Sequence, residues 1–308
     1  MAGKRIMCVG LVCGDIMNVV HNFPQEDTDQ RVADQWWQLG GNGANSSIVL
    51  SLLGNEAEFL GTMAVAPELS FLKGSFEKHG INIEHCIYHE DTNTPLSVVI
   101  VNKQNGSRTI LHSNKNLPEL QYEDFNSINF ELGQYRWIHF EGRPNIGRIR
   151  MMLQRIEQFN QTYPDKKITT SLELEKKNPE LEELTMCADY IYVSKEHAQF
   201  NGFQNKEDTV NGFMDRCRPG ATVICAWGED GAAGRAGDNP LVSSPIFPPP
   251  KVVDTLAAGD SFNAGTIHAL SSGKTLQEAL VFGCKVAGVK VGMRGLTGIQ
   301  QWYSQNKL

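Results

Sequence analysis

The stretch KVVDTLAAGDSFNAG, residues 251–265, sets Asp254 and Asp260 on either side of Thr255-Leu256-Ala257-Ala258-Gly259. Little side-chain bulk stands at the end of that run, so a ligand can approach the backbone closely. Phe262, Thr266, Ile267 and Leu270 then recur at helical spacing until Ser271-Ser272-Gly273 ends the pattern. The small residues therefore sit where a helix begins. A helix start leaves backbone N–H groups unpaired and carries partial positive charge, which suits a phosphate or a developing oxyanion. Asp260 at that start has two readings: a helix cap, or a base that accepts a proton from a substrate hydroxyl beside a bound phosphate. Spacing alone favours the cap.

Upstream, residues 5–13 (RIMCVGLVC) are nearly all apolar, the pattern of a strand buried on both faces of a parallel sheet. Asp15 falls just past its carboxyl end, where open α/β sheets bind ligands, although it reads equally as a turn residue after Gly14. Gly40-Gly41-Asn42-Gly43-Ala44-Asn45 leads into a helix expected over 44–53 and closed by Gly54. Asn42 and Asn45 near its start read as caps or as amides for substrate hydroxyls. Residues 97–102 and 109–113 read as strands joined through Asn105-Gly106, a hairpin signal, with Arg108 just after the turn.

Strand and helix candidates then alternate: 137–141, 146–159, 168–174, a short helix near 179–186, and 189–193. Such alternation implies right-handed βαβ units and a mostly parallel sheet. Residues 221–227 make a further buried strand, and Gly228-Glu229-Asp230-Gly231 permits a tight turn at a sheet edge. A strand within 241–247 precedes Pro248-Pro249-Pro250, a rigid extended lead into the Asp254 turn. Residues 275–291 read as a helix that carries Cys284, Ala287 and Gly288.

With 308 residues, 41% of them hydrophobic and 20% charged, the chain can bury a large core. A formal charge of −7 argues against nucleic acid or an anionic membrane as the main partner. The seven cysteines form no C-x-x-C pair or zinc-like spacing, and reduced, mostly buried thiols are expected. The apolar stretch after Met1 is soon broken by Gly14-Asp15, too short for a signal peptide or a span, so a cytoplasmic protein is expected. Asn45-Ser46-Ser47 and Asn105-Gly106-Ser107 are then chance glycosylation sequons. Gly273-Lys274-Thr275 looks like a P-loop tail, but His268 stands where the earlier glycine belongs. The first strand lacks G-x-G-x-x-G, so a dinucleotide dehydrogenase is not supported.

The Asp254–Asp260 stretch resembles the second signature of the ribokinase-like (PfkB) carbohydrate kinases, D-T-x-G-A-G-D, with Ala257 where the family usually has its first glycine. Gly40-Gly41-Asn42-Gly43-Ala44-Asn45 similarly resembles the first. The two signatures stand in family order, and the likeness runs nearly end to end. It implies one ribokinase-like α/β domain over residues 1–308, a mostly parallel central sheet with helices on both faces. A small β-sheet lid is implied over about 14–39 and 94–113, with Trp36-Trp37 as lid core or dimer surface.

The resemblance further implies transfer of the ATP γ-phosphate to the 1-hydroxyl of fructose, with Asp260 as base and the backbone of 257–260 as anion hole. Asp15, Gly41, Asn42 and Asn45, together with Asp260, are then the sugar-binding residues. Arg108, Gly228, Glu229, Asp230, Gly231, Ala257, Ala258, Gly259, Asp260 and Cys284 fall on the nucleotide side. Magnesium is expected with ATP, although Ser194-Lys195-Glu196-His197 stands where the family's N-x-x-E metal motif would fall. Glu141, Glu173 and Glu175 are the candidates for acting through metal-bound water. Potassium is expected beside the anion hole, around Asp254 and the carbonyls after Gly288, and a homodimer through paired lids. Two alternatives stay open: a kinase of another sugar or a nucleoside, and a sugar- or nucleotide-binding regulator without turnover. Ala257 and the missing N-x-x-E give weight to the second.

Overall fold

A computed structural model describes residues 4–104, 107–127 and 131–306. In chain order the strands are β1 (Arg5–Val9), β2 (Cys13–Val20), β3 (Asp34–Gly40), β4 (Ala57–Leu60), β5 (Thr62–Ala64), β6 (Ile87–His89), β7 (Leu96–Asn102), β8 (Arg108–Ser113), β9 (Tyr135–Glu141), β10 (Thr169–Leu174), β11 (Tyr190–Ser194), β12 (Thr222–Ala226), β13 (Ala232–Ala236) and β14 (Val242–Ser244). The helices are α1 (Asn42–Leu52), α2 (Leu69–Lys78), α3 (Tyr122–Ser127), α4 (Ile146–Thr162), α5 (Lys195–Phe200), α6 (Lys206–Met214), α7 (Ala258–Ser271), α8 (Leu276–Val291) and α9 (Gly298–Gln305).

The apolar runs become a large sheet in the order β14-β13-β12-β11-β10-β9-β1-β4. From β4 to β12 the neighbours are parallel, while β13 and β14 close one edge antiparallel. Side chains alternate across each strand, so the near-continuous runs feed two cores at once. Met7 and Val9 join Ile149, Met152 and Phe213 of α4 and α6 on one face, while Ile6 and Cys8 join Ile48, Phe262 and Leu280 of α1, α7 and α8 on the other. A smaller sheet, in the order β3-β2-β7-β8, is hydrogen-bonded separately, and β5 and β6 form a two-stranded pair.

Residues 5–13 are not one strand. Gly10 leaves the ladder, and a Cβ there would run into the Glu141 side chain. The Leu11 N–H donates to Glu141 Oε2 at 2.9 Å, and the chain crosses into the smaller sheet at Cys13. Asp15 therefore sits inside β2 rather than past the end of a central strand. The helix expected over 44–53 starts two residues earlier, at Asn42, and the short helix near 179–186 is a 3-10 helix, Pro179–Cys187, capped by Asn178. The Asn105-Gly106 turn lies outside the described residues, but the flanking β7 and β8 pair antiparallel. All the cysteines are free, and only Cys187 is more than slightly accessible. No helix among the described residues is long and apolar enough to cross a membrane.

The decisive turn enters α7 through Ala257, which has φ 60° and ψ 17°, left-handed backbone with no side-chain cap on the helix. An L-residue crowds its Cβ against the carbonyl in that region, at a cost of about 1–2 kcal/mol, whereas glycine is free to adopt it. Part of that gain is offset because glycine loses more freedom on folding. Ala257→Gly is therefore expected to raise the stability to chemical denaturation by about 0.5–1 kcal/mol. A lowered denaturation midpoint would mean that contacts of the alanine methyl outweigh the backbone strain.

Candidate active site

The carboxyl ends of β9 to β12, the Gly10–Val12 crossing and the start of α7 meet over one face of the smaller sheet. They enclose a cavity of about 900 Å³. Asp15, Gly41, Asn42, Asn45, Arg108, Gly228, Glu229, Gly231, Ala257, Ala258, Gly259, Asp260 and Cys284 all line it, although they come from six stretches of sequence far apart. Asp230 is the exception: it belongs to the 3-10 turn Gly228–Asp230 but is not part of the lining.

Asp260 lies in the first turn of α7, yet its carboxylate does not cap that helix. Instead Asn45 Nδ2 of α1 donates to Asp260 Oδ2 at 2.8 Å, joining the two sequence motifs directly. The first intrahelical bond runs from Ser261 N to Ala257 O at 2.9 Å, and Ala258 N takes Thr255 O at 3.3 Å. Gly259 and Asp260 N–H have no carbonyl four residues back within the helix. The start of α7 thus offers donors to an anion next to a buried carboxylate. Burial pushes the Asp260 pKa up to about 8; Glu175 and Glu141 add to the rise, and the bonds from Asn45 and the charge of Lys176 oppose it.

Glu173, at the end of β10, lies beneath this carboxylate and is itself buried. It accepts from Asn42 Nδ2 at 3.0 Å and from Asn263 Nδ2 at 2.7 Å, and Asn42 also reaches Glu175 Oε2 at 3.2 Å. Burial raises the Glu173 pKa well above the ordinary range, with Asp260 and Glu175 adding to it. Neutral amides, not cations, are its partners. Glu141 is committed differently: Oε2 accepts from Leu11 N and Gly43 N (2.9 and 3.2 Å), and Arg143 pairs with Oε1 at 3.3 Å. It ties the strand crossing to α1 and has little acceptor capacity left for a metal-bound water.

Asp15 faces the cavity from β2, with burial raising its pKa and Ser97 and Cys13 opposing. A Cβ on Gly40 would overlap its carboxylate, and one on Gly41, at φ 100°, would overlap the Leu11 carbonyl. The glycine pair is thus needed for close packing on both sides. Ser97 Oγ and His112 Nδ1, 3.1 Å apart, extend this polar floor. On the opposite side, Phe247, Pro248, Pro249, Cys284, Ala287 and Gly288 form a wall. A Cβ on Gly288 would overlap the Phe247 carbonyl, so the proline-bearing segment lies directly on α8. Lys195 pairs with Glu229 at 2.6 Å on the cavity's rim, and Arg108 Nη1 of β8 donates to Thr255 Oγ1 of the turn.

Behind the turn, Lys290 of α8 is buried, with Nζ 2.6 Å from Asp254 Oδ2 and 3.0 Å from the Asp254 carbonyl. Asp254 Oδ1 accepts from Leu256 N at 2.9 Å and Oδ2 from Gly295 N at 3.3 Å. Burial lowers the Lys290 pKa, and Asp254 opposes the fall. Asn263, Lys290 and the floor residues Ser97 and His112 were not singled out by sequence. Asn263 carried a signal, standing three residues after Asp260 and so on the same helix face.

The pfkB family carbohydrate kinase profile matches residues 4–302. Ketohexokinase of Mus musculus is 45% identical over 97% of this chain and 100% of its own length. A nucleoside kinase of Methanocaldococcus jannaschii is 23% identical over 98% of this chain and 96% of its own. Among solved structures, ribokinase from Thermotoga maritima superposes with a TM-score of 0.78 at 23% identity, covering 98% of this chain and 100% of that one. Two motifs joined through one hydrogen bond, a helix start open to an anion and a match along nearly the whole chain lead to one assignment: the chain belongs to the pfkB family of carbohydrate kinases.

Proposed function

We propose that this protein transfers the γ-phosphate of ATP to the 1-hydroxyl of fructose, giving fructose 1-phosphate and ADP. The 45% identity to a ketohexokinase along its entire length carries the reading. The geometry supplies a mechanism. Asp15, Asn42 and Asn45 hold the sugar hydroxyls, with Gly41 letting the chain pack tightly beneath them. Asp260 accepts the proton of the attacking hydroxyl as the new oxygen–phosphorus bond forms and the bond to the β-phosphate oxygen breaks. The backbone donors of 257–260 and Arg108 hold the transferred phosphoryl group, since such catalysis is mainly positioning and charge stabilisation. Gly228, Glu229, Gly231 and Cys284 flank the rest of the nucleotide; Asp230 is left out of this set.

Among the described residues no three His, Cys, Asp or Glu side chains cluster to cage a metal. That fits magnesium, which keeps several waters and arrives on nucleotide phosphates. The cavity lining carries seven carboxylates against four Lys and Arg side chains, so a divalent ion would offset nucleotide charge there, with Glu175 as its protein contact. Potassium fits less well. Both Asp254 oxygens are occupied, and the Val289, Lys290 and Val291 carbonyls accept bonds from Gly292, Met293 and the Val253 and Asp254 amides.

The smaller sheet serves as a lid and as a dimer surface. Trp37, Ile16, Val98 and Leu111 stand side by side across its four strands, on the face turned from the cavity. Trp37 is 43% and Leu111 59% exposed, an apolar row flanked by unpaired edges on β3 and β8. A homodimer through this face covers both.

A coupled ADP-release assay over fructose, ribose, glucose, tagatose and adenosine tests the activity; turnover with none of them would leave a binding regulator. In that assay Asp260→Asn is expected to lower kcat by roughly 100- to 10,000-fold, because the amide keeps the shape but cannot take the proton. A variant within a few-fold of wild type would remove Asp260 as base. Because a raised pKa keeps Asp260 protonated on the acid side, kcat/KM for the wild type should fall as pH drops toward and below about 8. An acid limb confined to the ordinary carboxylate range would contradict that. Light scattering should give twice the chain mass for wild type and a monomer for Leu111→Glu; a wild-type monomer would exclude the dimer.

A further inference from the structure

The phosphate turn has a lysine side chain built in behind it. Lys290 occupies the last turn of α8, where the helix end favours a positive charge, and its side chain reaches inward with 1% exposure. Its ammonium contacts both the carboxylate and the carbonyl of Asp254, at 2.6 and 3.0 Å. The other carboxylate oxygen holds Leu256 N–H, immediately before the left-handed Ala257, so the ion pair is linked directly to the entry of α7. A buried ion pair carries a desolvation cost that a well-packed apolar pair avoids, and here the pair holds the backbone of the turn as well as the carboxylate.

We infer that the Lys290 ammonium takes the place of an activating monovalent cation in this protein, positioning the 254–257 turn so that turnover needs no potassium. The inference rests on the kinase reading above. A hydrated cation needs several oxygen lone pairs, and here Asp254 Oδ1 has Leu256 N–H, while Oδ2 has both the ammonium and Gly295 N–H. The carbonyls that follow Gly288 are bonded to backbone amides, and an added ion would meet the ammonium as a like charge. Lys290 is a positioning residue: it lies behind Asp254 and is absent from the cavity lining.

The test compares initial rates in potassium chloride and in tetramethylammonium chloride at equal ionic strength, with ATP supplied free of potassium. Wild type is expected to differ by less than about twofold between the salts. Lys290→Ala opens room for an ion and leaves Asp254 Oδ2 with Gly295 N–H alone. Its kcat in tetramethylammonium should fall about 10- to 100-fold, with the sugar KM little changed, because the turn and not the sugar pocket is misplaced. Potassium should restore most of that kcat and raise the variant's Tm, while leaving the wild-type Tm unmoved. Several-fold activation of wild type by potassium overturns the inference, as does a Lys290→Ala protein that keeps full kcat or gains nothing from potassium. Should that variant not fold, the wild-type comparison decides alone. Absence of turnover in every salt would instead sink the kinase reading, and the melting arm would still report whether potassium replaces the ammonium.

Discussion

The 2.8 Å hydrogen bond from Asn45 to Asp260 is the interaction around which the site is arranged. It spans 215 residues of sequence and joins the start of α1 to the start of α7, elements that pack on the same face of the large sheet. Each helix must begin at the carboxyl edge of the parallel strands for that bond to form; the crossover from β1 to β4 puts the start of α1 there, and the segment after β14 carries the chain to the start of α7. The glycines follow from the same constraint. Gly41 lets the chain pass against the Leu11 carbonyl, and Gly10 and Gly43 pack face to face where the first strand departs from the sheet.

Charge at this edge is managed by amides in front and a cation behind. Asp260 and Glu173 receive Asn45, Asn42 and Asn263, which stabilise a carboxylate without neutralising it, so burial still raises both pKa values. Asp254, by contrast, receives a full ammonium. The difference suits two tasks on one turn. The proposed base gains from a raised affinity for a proton, whereas Asp254 gains from a partner that touches its carboxylate and its backbone carbonyl together.

The elements with local signals were legible. The helix of 275–291 has its Thr275 and Glu278 capping box, and β9 to β12 read correctly because apolar runs between helical patterns have one plausible home, a doubly covered sheet. The run at 5–13 misled because apolar character cannot report a change of sheet: Gly10 is the only mark of the departure, and what makes it necessary, the Glu141 carboxylate, lies 130 residues beyond Leu11. Asp15 was assigned to the site by the family resemblance but placed on the wrong element for the same reason. The Glu173 cluster was hidden because its partners lie 131 and 90 residues away. Lys290 reads in sequence as an ordinary helix-end lysine, and only the fold turns it inward to Asp254, 36 residues earlier.

Ala257 brings these strands of argument together. A left-handed alanine persists only when its surroundings over-determine the turn. Here they do so from both ends: Asp254 clamps the approach through Leu256, and Asn45 grips the first helical turn through Asp260. Arg108 adds a third hold from the smaller sheet through Thr255. The strain is therefore borne by the ion pair, the amide bond and the arginine together, and the Gly259 and Asp260 donors are set at the helix start without a glycine at the first position. That the departure from the family pattern sits between two buried polar clamps is the physical reason to read it as tolerated within a working kinase rather than as the mark of a lost one.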